Sequence, residues 1–467
     1  MNLPNLVLDS AATASETAAL LRDALGEEPD LVRLERADLI VFRGPDLIPV
    51  AATAVEKGAD GSWYCWLLAV SGDYRGNGLG TRLLREVVHR AKESGAVSVW
   101  LKTYQERTGM QKILRREGWY LCGAELAGRF DKVREIWRLP LISSPMGIIV
   151  IGANPGGRGG EWVDRIRTMP LMWSLRGIVE QNELYRKHWE NLGIPSFTSI
   201  DDPGALEGVG AAVIAVPPTR VGQVQRECMR RDLAILVEKP LAGSLTELAE
   251  LQDALQSNPI PLIVGVQRRS HPSYVALRAA LQLVRPSELS MCLSLGRPLG
   301  DLPAGHRANR SLCRGGALLD LGYHALDLVH FVLGQPLELV SCFLENSGDL
   351  AAGIESSARL FGRCGTTWVR IEVDRHGGAR REEIRARTAD GVWLGNREQV
   401  LRPDGSTLYE CSSSWEAAES GRLVELAEGA ARRDPLPVDL WDHLTAFELV
   451  ERAYAMAHIH GLEGLTS

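Results

Sequence analysis

The period of the apolar positions changes twice along the chain, and each change marks a different kind of structure. In the first stretch, residues 11–25 predict a helix, and 38–43, 47–55 and 62–70 predict strands, with GADG at 58–61 as the turn between the last two. A helix over 78–94, a strand over 96–102, a helix over 108–117 and strand material to about Leu139 follow. PLISSP, Pro140 to Pro145, predicts a linker. Beyond it, short unbroken apolar runs alternate with helical stretches: MGIIVIG (146–152), LRGIVE (175–180), AAVIAVP (211–217), AILVE (234–238) and PLIVGVQ (261–267). Strands apolar on both faces and separated by helices predict a parallel, doubly wound sheet. From about residue 335 the period falls to two, in TTWVRIEV (366–373) and EEIRARTA (382–389), which predicts an open, mostly antiparallel sheet. A helix over about 440–460 closes the chain. The pattern reads as a multidomain α/β and α+β chain with domains over 1–140, 146–270 and 271–467.

A length of 467 residues exceeds one ordinary core, which agrees with that division. Hydrophobic residues at 45% and charged residues at 24% are those of a globular protein. A net charge of −7 argues against a nucleic-acid partner, which needs a basic face. Neither a run of about 18 apolar residues nor a signal peptide in MNLPNLVLDS is visible, so no membrane partner is expected. The eight cysteines are scattered without a CxxC pair, which favours reduced thiols in a cytoplasm over disulfides or a metal site.

SGDYRGNGLGTRLL (71–84) joins a predicted strand to a predicted helix. Glycines let backbone N–H groups approach a phosphate, and a helix N-terminus adds a favourable dipole. With the later TGMQKILRREGW (108–119), the segment resembles the GNAT acetyltransferase family, over about residues 1–140. The resemblance implies a GNAT fold and acetyl-CoA, its pyrophosphate on the amides of Arg75, Gly76, Asn77, Gly78, Leu79, Gly80 and Thr81. Where the family often has a Tyr as general acid for the CoA thiolate, this chain has Leu114, which cannot donate a proton. Tyr104 or another group would serve, or the module transfers slowly, or it only binds. The acceptor is left open.

GIIVIGANPGGRGG (147–160) stands between a strand and a helix, as a dinucleotide loop does, and reads Gly152-x-Asn154-x-x-Gly157. Asn replaces the second glycine, and Asn tolerates unusual φ better than most residues. Glu180, at the end of the second strand, would accept from a ribose 2′-OH and favours NAD over NADP.

The apolar stretch GGALLDLGYHALDLVHFVLG (315–334) predicts one helix, with Asp320, His324 and Asp327 spaced to share a face. About eighty residues earlier, Glu238-Lys239-Pro240 ends a strand of the doubly wound sheet, where ligands bind. Glu-Lys-Pro and Asp320-x-Gly322-x-His324 together resemble the Gfo/Idh/MocA oxidoreductase family. Val216-Pro217-Pro218 sits where the family has Thr-Pro-Asn, and Gly265-Val266-Gln267-Arg268-Arg269 resembles its Gly-Phe-Asn-Arg-Arg. HisArgAlaAsn (306–309) resembles its Trp-Arg-x-Asp lead-in. The resemblance spans about 146–467 and implies a Rossmann domain followed by an α+β substrate domain in a homo-oligomer. It implies that Lys239, Asp320 and His324 are catalytic and that Pro217 and Glu238 line the cofactor site. His324 would be the base, Asp320 would orient its ring, and Lys239 would polarise the substrate oxygen. Asp327 reads as structural, and Val221 stands where the family has a His. The expectation is an NAD-dependent oxidoreductase for a small, sugar-like alcohol, ketone or imine, joined to an acetyltransferase or to a CoA-binding regulatory module.

Overall fold

Capping chemistry and apolar periodicity set the elements of the first of two units. The structure is a computed structural model and describes residues 6–9, 12–26, 28–127, 132–296, 310–346, 354–376, 379–432 and 440–460. The HisArgAlaAsn stretch at 306–309 lies outside these residues. The chain divides into Met1–Leu121 with Arg134–Ser143, and Cys122–Val133 with Ser144–Ser467.

The first unit contains β1 (Val7–Asp9), α1 (Ala14–Leu25), α2 (Leu31–Leu34), β2 (Asp38–Arg43), β3 (Pro49–Lys57), β4 (Ser62–Val70), α3 (Leu79–Glu93), β5 (Ser98–Tyr104) and α4 (Thr108–Arg116). With β6 (Tyr120–Ala127) and β7 (Lys132–Pro140), its strands form a seven-stranded sheet ordered β1-β2-β3-β4-β5-β7-β6. Thr13 and Glu16 open α1 with a reciprocal capping box, and Gly26 ends it at φ +76°. Leu21 from α1 packs with Leu34, Leu39, Ala54 and Ala69. One irregularity shapes the sheet. β4 pairs with β3 as far as Val70, with a register shift after Ala54, but pairs with β5 only over Ser62–Cys65 and Ser98–Leu101. Beyond those residues β4 and β5 part.

The second unit begins with a parallel sheet of β8 (Met146–Ile151), β9 (Trp173–Val179), β10 (Ser196–Phe197), β11 (Ala211–Ile214), β12 (Ala234–Val237) and β13 (Leu262–Val264). Helices α5 (Arg158–Arg167), α6 (Glu183–Asn191), α7 (Pro218–Met229) and α8 (Leu245–Ser257) connect them. The order β10-β9-β8-β11-β12-β13 reverses direction between β8 and β11, so a ligand crevice opens at their C-terminal ends. Then follow α9 (Pro272–Leu283), β14 (Glu288–Leu295), α10 (Arg310–Cys313), α11 (Tyr323–Leu333), β15 (Glu338–Glu345), β16 (Ser357–Cys364), β17 (Thr367–Asp374) and β18 (Arg380–Thr388). The described part ends with β19 (Gly391–Gly395), β20 (Gln399–Leu401), β21 (Thr407–Glu410), α12 (Ser414–Arg432), α13 (Leu440–Met456) and β22 (His458–His460). These strands form a nine-stranded, mostly antiparallel sheet, with β14 and β17 parallel at its middle.

Two expectations change. The open sheet starts at Glu288, not near 335, because ELSMCLSL already alternates at period two. The helix expected over 315–334 is also interrupted: Leu318–Gly322 form a π-helical turn before α11. A π turn widens the spacing, so Asp320 and Asp327 face different partners. By length and composition, Ser311–Leu333 would suffice to cross a membrane, but its most apolar window is 78% buried inside the protein.

Asp327 is fully buried and holds α11 through charge. Arg269 Nε donates to both of its oxygens at 2.9 and 2.8 Å, Arg269 Nη2 reaches it at 2.5 Å, and His443 Nδ1 of α13 lies 2.9 Å away. Burial raises the carboxyl pKa, but Arg269 and His443 outweigh it and hold it at about 2. The pair therefore stabilises the fold above the unfolded carboxyl range and is lost as pH falls towards about 2. Asp327→Asn removes the fully buried anion that Arg269 and His443 share, and a loss on the order of 3–5 kcal/mol in denaturant unfolding is expected. A variant as stable as the parent contradicts this role.

Candidate active site and cofactor loops

β8 delivers the chain into a loop at the edge of the crevice. Gly152 takes φ +85°, and a Cβ there would lie 2.5 Å from the Ala215 carbonyl oxygen. A Cβ at Gly159 would lie 2.1 Å from the Gly152 oxygen, so α5 can pack this closely only with glycine. Asn154 closes the loop on itself. Its Oδ1 accepts from the Gly156 N–H, and its carbonyl accepts from the N–H groups of Gly157 and Gly160, each at 3.0 Å. Gly157 is the N-cap of α5 and supplies no side-chain cap, which leaves first-turn N–H groups to an anion. This strand, turn and uncapped helix fit the pyrophosphate of a dinucleotide. Pro217 is the N-cap of α7 across the switch point, and Val221 is buried in the core.

Glu180 follows β9 and is half-buried. Its Oε1 accepts from the Asn182 N–H at 3.0 Å. Arg186 Nη1 is held by the Glu180 and Gln181 carbonyls at 2.7 and 2.8 Å. Arg176 lies beside Gly208, which precedes β11, away from the C-terminal strand ends.

Past β12, the chain places Lys239 against the π turn, and the Lys239–Pro240 bond is cis. The Lys239 ammonium donates to Asp320 Oδ1 and to the Asp320 carbonyl, both at 2.6 Å. Arg375, just after β17, donates through Nη2 to Asp320 Oδ2 at 3.3 Å. His324 lies one turn beyond Asp320, is 8% exposed, and keeps Nδ1 buried without a hydrogen-bond partner among the described residues. Burial pushes its pKa well below the usual range, and the charges of Arg268, Lys239 and Arg158 push the same way against Asp320. The ring is therefore neutral near pH 7 and able to accept a proton. The three residues named from the sequence do converge, and the charge of Asp320 acts on the His324 ring. Its carboxylate is taken by Lys239 and Arg375.

Glu238 is held from three sides. Its Oε1 accepts from Arg158 Nε at 3.0 Å, Trp162 Nε1 at 2.7 Å and Gln267 Nε2 at 3.0 Å, so it braces α5 against the sheet. The sequence reading missed Arg375 and Glu355. Glu355 is buried and its Oε1 accepts from Gly316 N, Leu318 N and Tyr454 Oη at 2.9, 2.9 and 2.7 Å, capping the helical segment that carries the site. Burial, the largest influence, raises its pKa. A Cβ at Gly316 would lie 2.0 Å from the Glu355 carbonyl oxygen, and the adjacent glycines of Gly315-Gly316 were the one sequence trace of that approach.

In the first unit, Gly76 and Gly78 take φ +80° and +79°, and a Cβ at either would face open space. Gly78 is the N-cap of α3 without a side-chain cap, so Leu79, Gly80 and Thr81 begin the helix with free first-turn N–H groups. Arg75 Nε donates to the Val70 carbonyl at 3.1 Å and Asn77 Nδ2 to the Tyr74 carbonyl at 3.3 Å, which fixes the turn. The turn follows β4 where it parts from β5, and a phosphate fits it. Leu114 is fully buried.

Residues 146–266 match the oxidoreductase family with an NAD-binding Rossmann fold, Gfo/Idh/MocA, and residues 286–387 match the Gfo/Idh/MocA C-terminal domain. Residues 23–119 match the acetyltransferase (GNAT) family. An inositol 2-dehydrogenase of Corynebacterium glutamicum strain R is 28% identical over 215 residues, which span 45% of this chain and 60% of that protein. A putative UDP-kanosamine synthase oxidoreductase subunit of Amycolatopsis mediterranei is 31% identical over 145 residues, spanning 30% of this chain and 39% of that protein. The match thus spans 60% or less of these curated relatives. Among solved structures, GenD2 from gentamicin A biosynthesis, in complex with NAD, superposes with a TM-score of 0.58 at 18% identity, covering 68% of this chain and 95% of its own. A mutant of KijD10, a 3-ketoreductase from Actinomadura kijaniata in complex with TDP-benzene and NADP, gives 0.57 at 18% identity, covering 68% and 99%.

Two expectations follow from the loops. Glu180 should disfavour a 2′-phosphate, so calorimetry should show NAD binding more tightly than NADP, with Glu180→Gln narrowing the ratio roughly tenfold. A wild-type preference for NADP contradicts it. Gly78→Val forces a β-branched residue to positive φ and fills the open space, so coenzyme A affinity should fall at least about tenfold. Unchanged affinity removes the pyrophosphate assignment.

Proposed function

We infer, for a chain that joins a GNAT-family domain to the NAD-binding and C-terminal domains of the Gfo/Idh/MocA family, that the second unit is a dehydrogenase for a secondary alcohol of sugar or cyclitol type. The observation that carries this is the convergence of a charged Lys239, fixed by Asp320, with a neutral His324 at the crevice end of the parallel sheet. A bound nicotinamide supplies the hydride acceptor. The carbinol hydrogen would leave with its bonding pair as hydride, and the hydroxyl proton passes to the His324 ring, leaving a ketone. Lys239 donates to the substrate oxygen and stabilises its developing charge. Asp320 positions Lys239. In reverse, His324 returns the proton as the ketone or an imine is reduced. NAD is the proposed cofactor, in keeping with Glu180. The names of the inositol 2-dehydrogenase relatives support a polyhydroxylated ring as substrate.

For the first unit we propose acetyl-CoA-dependent N-acetylation of an amine of the same metabolite class. The uncapped α3 and the parting of β4 from β5 support it. The whole acts as a cytoplasmic homo-oligomer with neither nucleic-acid nor membrane partners. A second reading, a CoA-binding regulatory module, is favoured by Leu114, whose buried, apolar side chain cannot protonate a thiolate. Incubation with acetyl-CoA and a panel of amino sugars and amino cyclitols separates them. Thiol release supports transfer, and CoA binding without release supports regulation.

His324→Ala should lower turnover with NAD by about 10²–10⁴-fold while leaving NAD affinity and melting temperature near those of the parent. Stability should hold because the ring makes no hydrogen bond to lose among the described residues. The depressed pKa adds a pH signature. The unfolded chain takes up a proton at this His below about pH 6.5 and the folded chain does not, so stability falls with pH there and is unaffected above it. For kcat/KM in the alcohol-oxidising direction, the acid limb should lie below about pH 6.5. Near-normal turnover in a well-folded His324→Ala protein rejects the base.

A further inference from the structure

We propose that Arg380 and Arg397 form a subsite for a phosphate carried by the substrate, set off from the carbon that is oxidised. This rests on the dehydrogenase reading of the second unit and narrows its substrate to a phosphorylated sugar or cyclitol. Strand register places the first arginine. Ser294 of β14 faces Asp374 of β17 on one side and Arg381 of β18 on the other, and Leu295 faces Arg380. Arg375, one residue past Asp374, therefore lies in the same cross-strand row as Leu295 and Arg380, and residues of one row share a face. On that face Glu382 and Ile384 are buried, and Arg375 reaches Asp320 Oδ2 at 3.3 Å. Two strand spacings, about 10 Å, separate the Arg380 and Arg375 backbones. Gly296, at φ +62°, brings the end of β14 against this row: a Cβ there would lie 2.1 Å from the Arg380 nitrogen.

Arg397 leaves β19 two residues after Gly395, which faces Ile384, so it stands beside the same end of β18. Its guanidinium lies 5.8 Å from the Trp415 ring centroid and makes one ion pair among the described residues, a 3.7 Å contact of Nε with Glu398. Arg380 makes neither a hydrogen bond nor an ion pair with its side chain among the described residues. Burial and then Arg397 push its pKa down, with Arg268 acting the same way against Glu382 and Glu398. The neighbouring arginines are committed to protein carboxylates. Arg268 forks onto Glu382 through Nε and Nη2 at 3.1 and 3.0 Å. Arg158, 5.3 Å from the same Trp415 ring, donates to Glu238 and Glu419, both at 3.0 Å. Arg380 and Arg397 also keep surface for a ligand: Arg380 is exposed, and the Arg397 side chain is 25% exposed.

Two guanidiniums that crowd each other at the edge of a buried row cost free energy, which an anion between them would offset. The carboxylate on their own face, Glu382, is already held by Arg268 and by Tyr274 Oη at 2.9 Å. A substrate carboxylate is satisfied by one guanidinium fork. A phosphate offers up to three acceptor oxygens and a charge of about −2, which matches a pair of arginines. The distance along the row from Arg375 puts that phosphate on a part of the substrate remote from the carbinol carbon.

The test titrates the NAD-loaded protein in the calorimeter with glucose 6-phosphate, inositol 1-phosphate and UDP-glucose, with glucose and inositol as neutral partners. At least one phosphorylated compound should bind. Its affinity should fall at least about tenfold in Arg380→Met and in Arg397→Met and recover in part in Arg380→Lys. In turnover with NAD, the same compound should be oxidised at least about a hundredfold better in kcat/KM than its neutral partner. Arg380→Met should remove that advantage through KM, with kcat held. A monoester that outperforms UDP-glucose makes the group a terminal phosphate, and the reverse makes it a diphosphate. NAD affinity in both variants should match the parent, and a fall there gives the arginines to the dinucleotide and overturns the proposal. Neutral sugars oxidised as well as phosphorylated ones overturn the subsite and preserve the dehydrogenase. Binding of a phosphorylated compound that depends on Arg380, without turnover of any compound, keeps the subsite and rejects the dehydrogenase reading. Binding of none of the phosphorylated compounds overturns the proposal. Arg380 is exposed, so its variants should melt with the parent, and they decide alone if Arg397→Met does not fold.

Discussion

A charge buried away from water must be answered by an opposite charge or a set of hydrogen bonds within reach, and the helix that carries His324 is placed by that requirement. Three carboxylates hold it at three levels. Glu355 meets the N–H groups where the segment begins, Asp320 meets Lys239 and Arg375 at the π turn, and Asp327 meets Arg269 and His443 farther along. Each partner comes from a different part of the second unit. The apolar residues of the same helix supply burial, which is non-directional. They would allow the helix to rotate or slide. The carboxylates set its phase and height, and so set where the His324 ring stands.

Paired charges fasten the rest of the second unit as well. The Arg268–Glu382 and Arg269–Asp327 pairs close on themselves and behave as fasteners. The Arg158–Glu238–Glu419–Arg165 chain does the same between α5, the β12 end and α12. Around Asp320, Lys239 and Arg375 meet one carboxylate, and the π turn there is itself a local departure from regular helix. Such departures gather where a ligand is to be met. The dinucleotide loop follows the opposite plan. Asn154 satisfies the loop from within, so the anion is met mainly by the uncapped start of α5.

Much of this was legible in the residues. Short apolar strands between helices announced the doubly wound sheet because burial on both faces leaves a period-free signature. Lys239, Asp320 and His324 were singled out by the resemblance of Glu-Lys-Pro and Asp-x-Gly-x-His to one family, and the structure brings Lys239 against Asp320. The failures share a cause. The bracing role of Glu238 was not legible because its partners Trp162 and Gln267 lie 76 and 29 residues away in the chain. Arg375 was invisible for the same reason: nothing local distinguishes an arginine that folding buries from one it exposes. β14 was missed because it stands alone between helices and its pairing strands follow far downstream. The π turn has no period of its own in five residues.

The contact between Tyr454 and Glu355 has a consequence for how the protein reaches its working form. Ninety-nine residues separate the two, and the same tyrosine hydroxyl sits where a Cβ on Gly315 would be, 2.2 Å away. The start of the site helix is therefore walled by a side chain from a helix made much later in synthesis. Contacts this distant in the chain form late, after the entropy of closing long loops has been met. Seating of this helix therefore depends on the long-range closure that brings α13 against it, and the Glu355 contacts to the amides of Gly316 and Leu318 stand beside that closure.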